Sequence, residues 1–266
     1  MNLTAADIRQ QILDRQFAAI SCELDRVQLE EIIQKLFVFF ALPDEVKNRF
    51  AFKLKPNEEE RGHEIGYWTR SRANGNQDNR GYFHYNDLAD ERFRIEGADC
   101  PELLAFMDAV KPLYRTAEEK MKEVVRALDA EHTGLYDLFF PADQYPLLFL
   151  RLLAYERMEP GDFLASGHYD RGSCTLAMAE SAPGLRIGKT PEDVKEVIRD
   201  PNTILFFPGL VLQEYTGPEF APSWHDVIQK EAHLLNQQTA RWAIVAFLGS
   251  WNQRNLPWQE THAPTY

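Results

Sequence analysis

Apolar residues recur with a helical period along the first half of the chain, and in short, nearly continuous runs along the second. Residues 25–41 place Val27, Leu29, Ile32, Ile33, Leu36 and Phe40 at helical spacing, which predicts a helix. Pro43 stops that helix and can occupy the first turn of another, DEVKNRF. A longer helix is predicted from about Pro101 to Ala130, where Leu103, Phe106, Val110, Tyr114, Ala117, Met121, Val125 and Leu128 recur every three or four residues. Pro112 falls inside that pattern and predicts a kink or a break, because its ring removes a helix hydrogen bond. Between these helices, RGHEIGYWTRSRANGNQDNRGYFHYND at 61–87 is rich in Gly, Asn, Arg and aromatics, the composition of a long irregular loop.

From about Leu147 the pattern changes. LLFLRLLAYERM, DFLASGHYD, SCTLAMAE, GLRIG, TILFFPG, LVLQEYT, SWHDVIQKEAHLL and ARWAIVAFLGS are short, apolar and rich in β-branched or aromatic residues. Turn residues separate many of them, as at Glu159-Pro160-Gly161-Asp162, Pro183-Gly184, Asp200-Pro201-Asn202 and Pro208-Gly209. Strands at that spacing predict a sandwich or barrel with Greek-key connections. The expected class is α+β, with the helical half (1–140) supporting a β core (147–250) in one domain and a C-terminal tail at 251–266.

Composition narrows the partners. The 266 residues carry 29 Lys+Arg against 41 Asp+Glu, a formal charge of -12. A field of that sign repels phosphate backbones and anionic lipid, so neither nucleic acid nor a membrane surface is an expected partner. Cys22, Cys100 and Cys174 lie far apart and form no disulfide or metal-binding pattern, which fits a reducing compartment. The polar N-terminus and the short apolar runs suggest a soluble, cytoplasmic protein.

The candidate chemistry lies in the β half. His168-Tyr169-Asp170 closes a predicted strand, and side chains at i and i+2 of a strand point to one face. His225 follows Asp170 by 55 positions, at the start of another predicted strand. Two imidazoles and one carboxylate form a facial triad that suits Fe(II) and leaves coordination positions open. Arg241 opens the last predicted core strand, where alternation places Arg241, Ala243, Val245 and Phe247 on one face. A buried Arg needs an anion, either a bound one or an acidic side chain.

Taken together, HYDRGSCTLAMAE, GLRIG, TILFFPG, SWHDV and ARWAIVAFL resemble the isopenicillin N synthase-like family of Fe(II)/2-oxoglutarate-dependent oxygenases. FFALPDEVKNRF and GYWTR extend the resemblance upstream over most of the chain. It implies a double-stranded β-helix (jelly-roll) with Fe(II) held by His168, Asp170 and His225. It further implies Arg241 and Tyr155 as contacts of the co-substrate 2-oxoglutarate, with O2 as oxidant and a small-molecule or amino-acid-like substrate. Three features depart from the family pattern. The Ser of Arg-x-Ser is Ala243, the Asn of Asn-x-Tyr is Leu153, and the usual N-terminal strand starting Ile-Pro is not evident. Two alternatives remain: an oxidase like isopenicillin N synthase that dispenses with 2-oxoglutarate, and a jelly-roll that binds a ligand without catalysis.

Other residues stay open at this level. His84 could touch substrate or be structural, and His233 rivals His225 as the distal ligand. Tyr67, Trp68 and Arg70 could line the barrel mouth or serve packing, whereas Cys174 is expected to pack within a strand.

Overall fold

The computed structural model describes residues 3–53, 64–71, 77–143, 145–230 and 239–249. Its helices are α1 (Ala5–Arg15), α2 (Arg26–Phe40), α3 (Asp44–Asn48), α4 (Asp87–Glu96), α5 (Pro101–Asp129), α6 (Leu135–Phe139) and α7 (Leu210–Thr216). Strands β1 (Ala18–Ser21), β2 (Ala51–Lys53), β3 (Glu64–Ser71) and β4 (Gln77–Tyr85) come from the first half of the chain. The second half adds β5 (Leu148–Glu156), β6 (Phe163–His168), β7 (Cys174–Glu180), β8 (Leu185–Gly188), β9 (Lys195–Glu196), β10 (Thr203–Pro208), β11 (Trp224–Ile228) and β12 (Thr239–Leu248).

The strands form two antiparallel sheets. One has eight strands in the order β1-β10-β7-β12-β5-β4-β3-β2, and the other four in the order β6-β11-β8-β9. Alternation along the central strands explains why their sequences look apolar throughout. Leu150 and Leu152 of β5, Leu176 and Met178 of β7, Ile204 and Phe206 of β10, and Ile244 and Ala246 of β12 join the core shared with α2 and α5. Their odd-numbered neighbours Leu153, Tyr155, Ala177, Leu205, Phe207 and Ala243 join a second core with Leu164, Leu185 and Val227 of the smaller sheet. A strand covered on both faces has no polar side to display.

The predicted helices form where periodicity places them. Asp25 caps α2 by accepting from the Val27 amide at 2.9 Å, and Leu29, Ile32, Ile33, Leu36 and Phe39 form its buried face. Helix α5 buries every apolar position singled out above, from Leu103 to Leu128. It runs through Pro112 without the break that residue predicts. Pro112 lies on the exposed side, where water can satisfy the carbonyl left without a donor.

Three expectations need correction. Much of the stretch 61–87 is the hairpin β3–β4, which extends the large sheet through pairing of β4 with β5. Gly66 serves close packing: it has φ +82°, and a Cβ there would fall 1.8 Å from the Phe50 carbonyl oxygen. LVLQEYT is the helix α7 and not a strand, since a run that short has no decisive period. An N-terminal strand does exist without an Ile-Pro start, because Ala18–Ser21 pairs with β10 at the sheet edge. The tail 251–266, His233 and the side chain of Arg70 lie outside the described residues. Among the described residues, no helix is long and apolar enough to cross a membrane.

Candidate metal centre

Sheet register brings the histidines together. His225 of β11 is the cross-strand partner of His168 at the end of β6, and their ring centroids are 4.4 Å apart. Asp170 stands beyond the end of β6, so strand alternation alone does not place it. Its loop is gripped by the start of α7 instead. The amides of Gly209, Leu210 and Val211 donate to the carbonyls of Ser173, Asp170 and Gly172 at 2.9, 2.8 and 3.1 Å. Gly209 permits this approach, for a Cβ there would lie 2.2 Å from the Gly172 oxygen.

The donor atoms converge. His168 Nε2 and His225 Nε2 lie 3.6 and 3.7 Å from the same Asp170 oxygen, Oδ1. One ligand atom from each residue falls within 4.8 Å of the others. His168 Nδ1 meets the Ser166 carbonyl at 2.8 Å, and His225 Nδ1 meets the Ser223 carbonyl at 3.2 Å. A carbonyl only accepts, so each Nδ1 carries a proton toward the backbone and each Nε2 faces inward. Thr175 Oγ1 donates to Asp170 Oδ2 at 2.6 Å, leaving Oδ1 facing the point on which the donor atoms converge. Burial by itself would raise the Asp170 pKa. His225, His168, the Thr175 hydroxyl and Arg151 together hold it below the ordinary carboxylate value. Two imidazoles oriented from behind and one carboxylate held in its ionised form fit a divalent iron.

This cluster borders a pocket between the two sheets. Arg241, Ala243, Val245 and Phe247 all line it, as strand alternation predicts, and so do Leu153 and Tyr155. Register sets their order: Arg241 faces Tyr155, Ala243 faces Leu153, Val245 faces Arg151 and Phe247 faces Phe149. Arg241 is 2% exposed and lies over the Tyr155 ring, 5.6 Å from its centroid. Its Nε donates to the Ala182 carbonyl at 2.8 Å, and its Nη2 pairs with Glu180, another lining residue. Arg241 therefore meets an acidic side chain of its own chain.

Arg151 and Glu180 were not singled out from the sequence. A lone Arg within the apolar run LLFLRLLAY carries the same signal as Arg241. Arg151 lines the pocket, packs over Phe247 at 4.6 Å and donates from Nε to His84 Nε2 at 2.7 Å. His84 is thus a buried support for Arg151, on β4 and not in a loop. Tyr67 belongs to the helix-facing core, edge-on to Phe39 and Phe40, whereas Trp68 packs at the margin of the inter-sheet core. Cys174 is buried, and that burial pushes its thiol pKa up, as expected of a packed and unreactive cysteine.

No protein-family model and no curated protein sequence matches the chain. Solved structures do. A full-length Neurospora crassa protein in complex with alpha-KG aligns at a TM-score of 0.67 and 19% identity over 91% of this chain and 78% of its own. AtDAO1, a dioxygenase for auxin oxidation from Arabidopsis thaliana bound to 2-oxoglutarate, aligns at 0.66 and 18% over 92% and 87%. A 2OG-Fe(II) oxygenase family structure from Caulobacter crescentus aligns at 0.66 and 23% over 92% and 83%. The fold is that of the 2-oxoglutarate/Fe(II) oxygenases. The Neurospora crassa protein has also been solved with thymine and with 5-formyluracil.

Proposed function

We propose that the protein is an Fe(II)- and 2-oxoglutarate-dependent oxygenase acting on a small molecule, with its two sheets forming a double-stranded β-helix in one catalytic domain. The observation that carries this reading is the convergence of His168, Asp170 and His225 beside a pocket that a buried arginine, Arg241, also lines. In this reading, the triad binds iron, and iron with 2-oxoglutarate and O2 supplies the oxidising chemistry, hydroxylation by default. The backbone carbonyls of Ser166 and Ser223 and the Thr175 hydroxyl fix the ligands' orientation before any metal arrives. Arg241 and Tyr155 are assigned to the co-substrate's far carboxylate. Apolar Leu153, Ala177, Leu185 and Val227 line the pocket and limit water around it. Arg151, Val245 and Phe247 lie along the same floor in register and are assigned to the substrate side.

The Arg241–Glu180 pair favours keeping one second reading, an oxidase that needs no 2-oxoglutarate. Anaerobic titration separates the two. Fe(II) followed by 2-oxoglutarate should produce a visible charge-transfer band, absent in Asp170→Ala. Iron binding without that band, together with O2 consumption that 2-oxoglutarate does not stimulate, would replace the oxygenase reading with the oxidase.

A further inference from the structure

We propose that Glu180 is a built-in competitor for the far carboxylate of 2-oxoglutarate, holding the Arg241 guanidinium and giving it up when the co-substrate binds. The inference rests on the oxygenase reading above. Glu180 ends β7 directly opposite Ala243 of β12, so their side chains share the pocket face with Arg241, two residues along. Ala243 offers only a methyl group, which leaves the acid room to reach diagonally to Arg241.

Guanidinium geometry makes the competition direct. A carboxylate grips an Arg with both oxygens either through Nε and Nη2 or through the two Nη groups. Nε is already engaged by the Ala182 carbonyl, and Nη2 is held by Glu180. Both forked edges include Nη2. An incoming carboxylate therefore gains a two-pronged contact only by displacing Glu180 or sharing its donor.

A second observation supplies a candidate partner for the displaced charge. The Glu180 side chain is only 10% exposed, so its carboxylate needs a partner when released. Arg199 lies close enough to feel the charges of both Glu180 and Arg241. Its Nη2 donates to the Ala177 carbonyl at 2.7 Å and also to that of Met178, while its buried Nη1 has no hydrogen-bond partner among the described residues. Arg241 alone is paired with Glu180, while the charge of Glu180 favours the Arg199 cation and that of Arg241 opposes it. In this proposal Arg199 Nη1 is the donor that receives Glu180.

The test measures binding to the Fe(II) protein without O2, read from the visible charge-transfer band. Two ligands are compared: 2-oxoglutarate, and 2-oxobutyrate, which keeps the chelating 2-oxo acid but lacks the far carboxylate. Glu180→Gln and Glu180→Ala should bind 2-oxoglutarate roughly ten-fold more tightly than the unaltered protein, with 2-oxobutyrate nearly unchanged. Arg199→Lys removes the Nη1 donor. It should weaken 2-oxoglutarate in the unaltered background and have little effect beside Glu180→Gln. Melting curves of each variant confirm that it is folded. Weaker or equal 2-oxoglutarate binding in both Glu180 variants would make Glu180 a positioning residue for Arg241 and overturn the proposal. Equal tightening of both acids would also overturn it. If neither the unaltered protein nor the variants give a band, the oxygenase reading itself fails and takes this inference with it.

Discussion

Arg241 carries the most specific residue-scale expectation. It is almost wholly buried, and its neighbours along the strand face, Ala243, Val245 and Phe247, offer no replacement cation. Arg241→Ala should weaken 2-oxoglutarate about 30-fold or more, since truncating one member of a desolvated charge pair costs on the order of 2–5 kcal/mol. Arg241→Lys should recover only part of this, because an ammonium lacks the planar fork. Iron affinity should hold in both, as Arg241 is no ligand. Isothermal titration with Fe(II) and 2-oxoglutarate under nitrogen separates these effects. Loss of primary-substrate binding with 2-oxoglutarate unaffected would assign Arg241 to the substrate.

Two elements outside the triad have measurable roles. Helix α7 clamps the Asp170 loop through backbone hydrogen bonds that need Gly209 to lie close to Gly172. Gly209→Ala should push these segments apart, lowering iron affinity about 10-fold and the melting temperature with it, as loss of support behind a metal ligand commonly does. Helix α4 offers a pH test. Asp90 is buried, and accepts from Tyr85 Oη at 2.8 Å, Arg94 Nε at 3.1 Å and Lys111 Nζ at 2.7 Å. Burial alone would raise its pKa, but these three partners hold it below the ordinary carboxylate value. Folding thus favours the ionised form. The stabilisation is complete above the unfolded-state value of about 4 and is lost as pH falls through the lowered folded value. Asp90→Asn should cost about 1–3 kcal/mol at pH 7 and flatten the acid limb of the stability profile. Urea unfolding at a series of pH values measures both.

For the molecule as a whole, ligand binding should appear as stability. Fe(II) with 2-oxoglutarate at a hundred times the dissociation constant adds about 2.7 kcal/mol, roughly 5–10 °C in melting temperature for a chain of this size. Iron should be required for most of the co-substrate's share, because the triad and Arg241 border one pocket between the two sheets. A melting curve that responds to 2-oxoglutarate alone as strongly as to the pair would show that co-substrate binding does not depend on the metal.

The amphipathic helices α2 and α5, the apolar strand runs and the residues able to bind a metal were legible in the chain alone. Those signals are local: a 3.6-residue period, an apolar run and a buried charge without an evident partner. Arg241, Ala243, Val245 and Phe247 share a face because alternation within one strand requires it. Tertiary structure decided everything that depends on two distant segments. His168 meets His225 through antiparallel register, and Asp170 joins them where α7 and the Thr175 hydroxyl hold its loop and side chain. The β3–β4 hairpin forms because its backbone groups find β5, which overrides a glycine-rich composition suited to a loop. The partner of Arg241 was of the same kind. Glu180 ends an ordinary apolar strand, and only the pairing of β7 with β12 brings its carboxylate to the guanidinium.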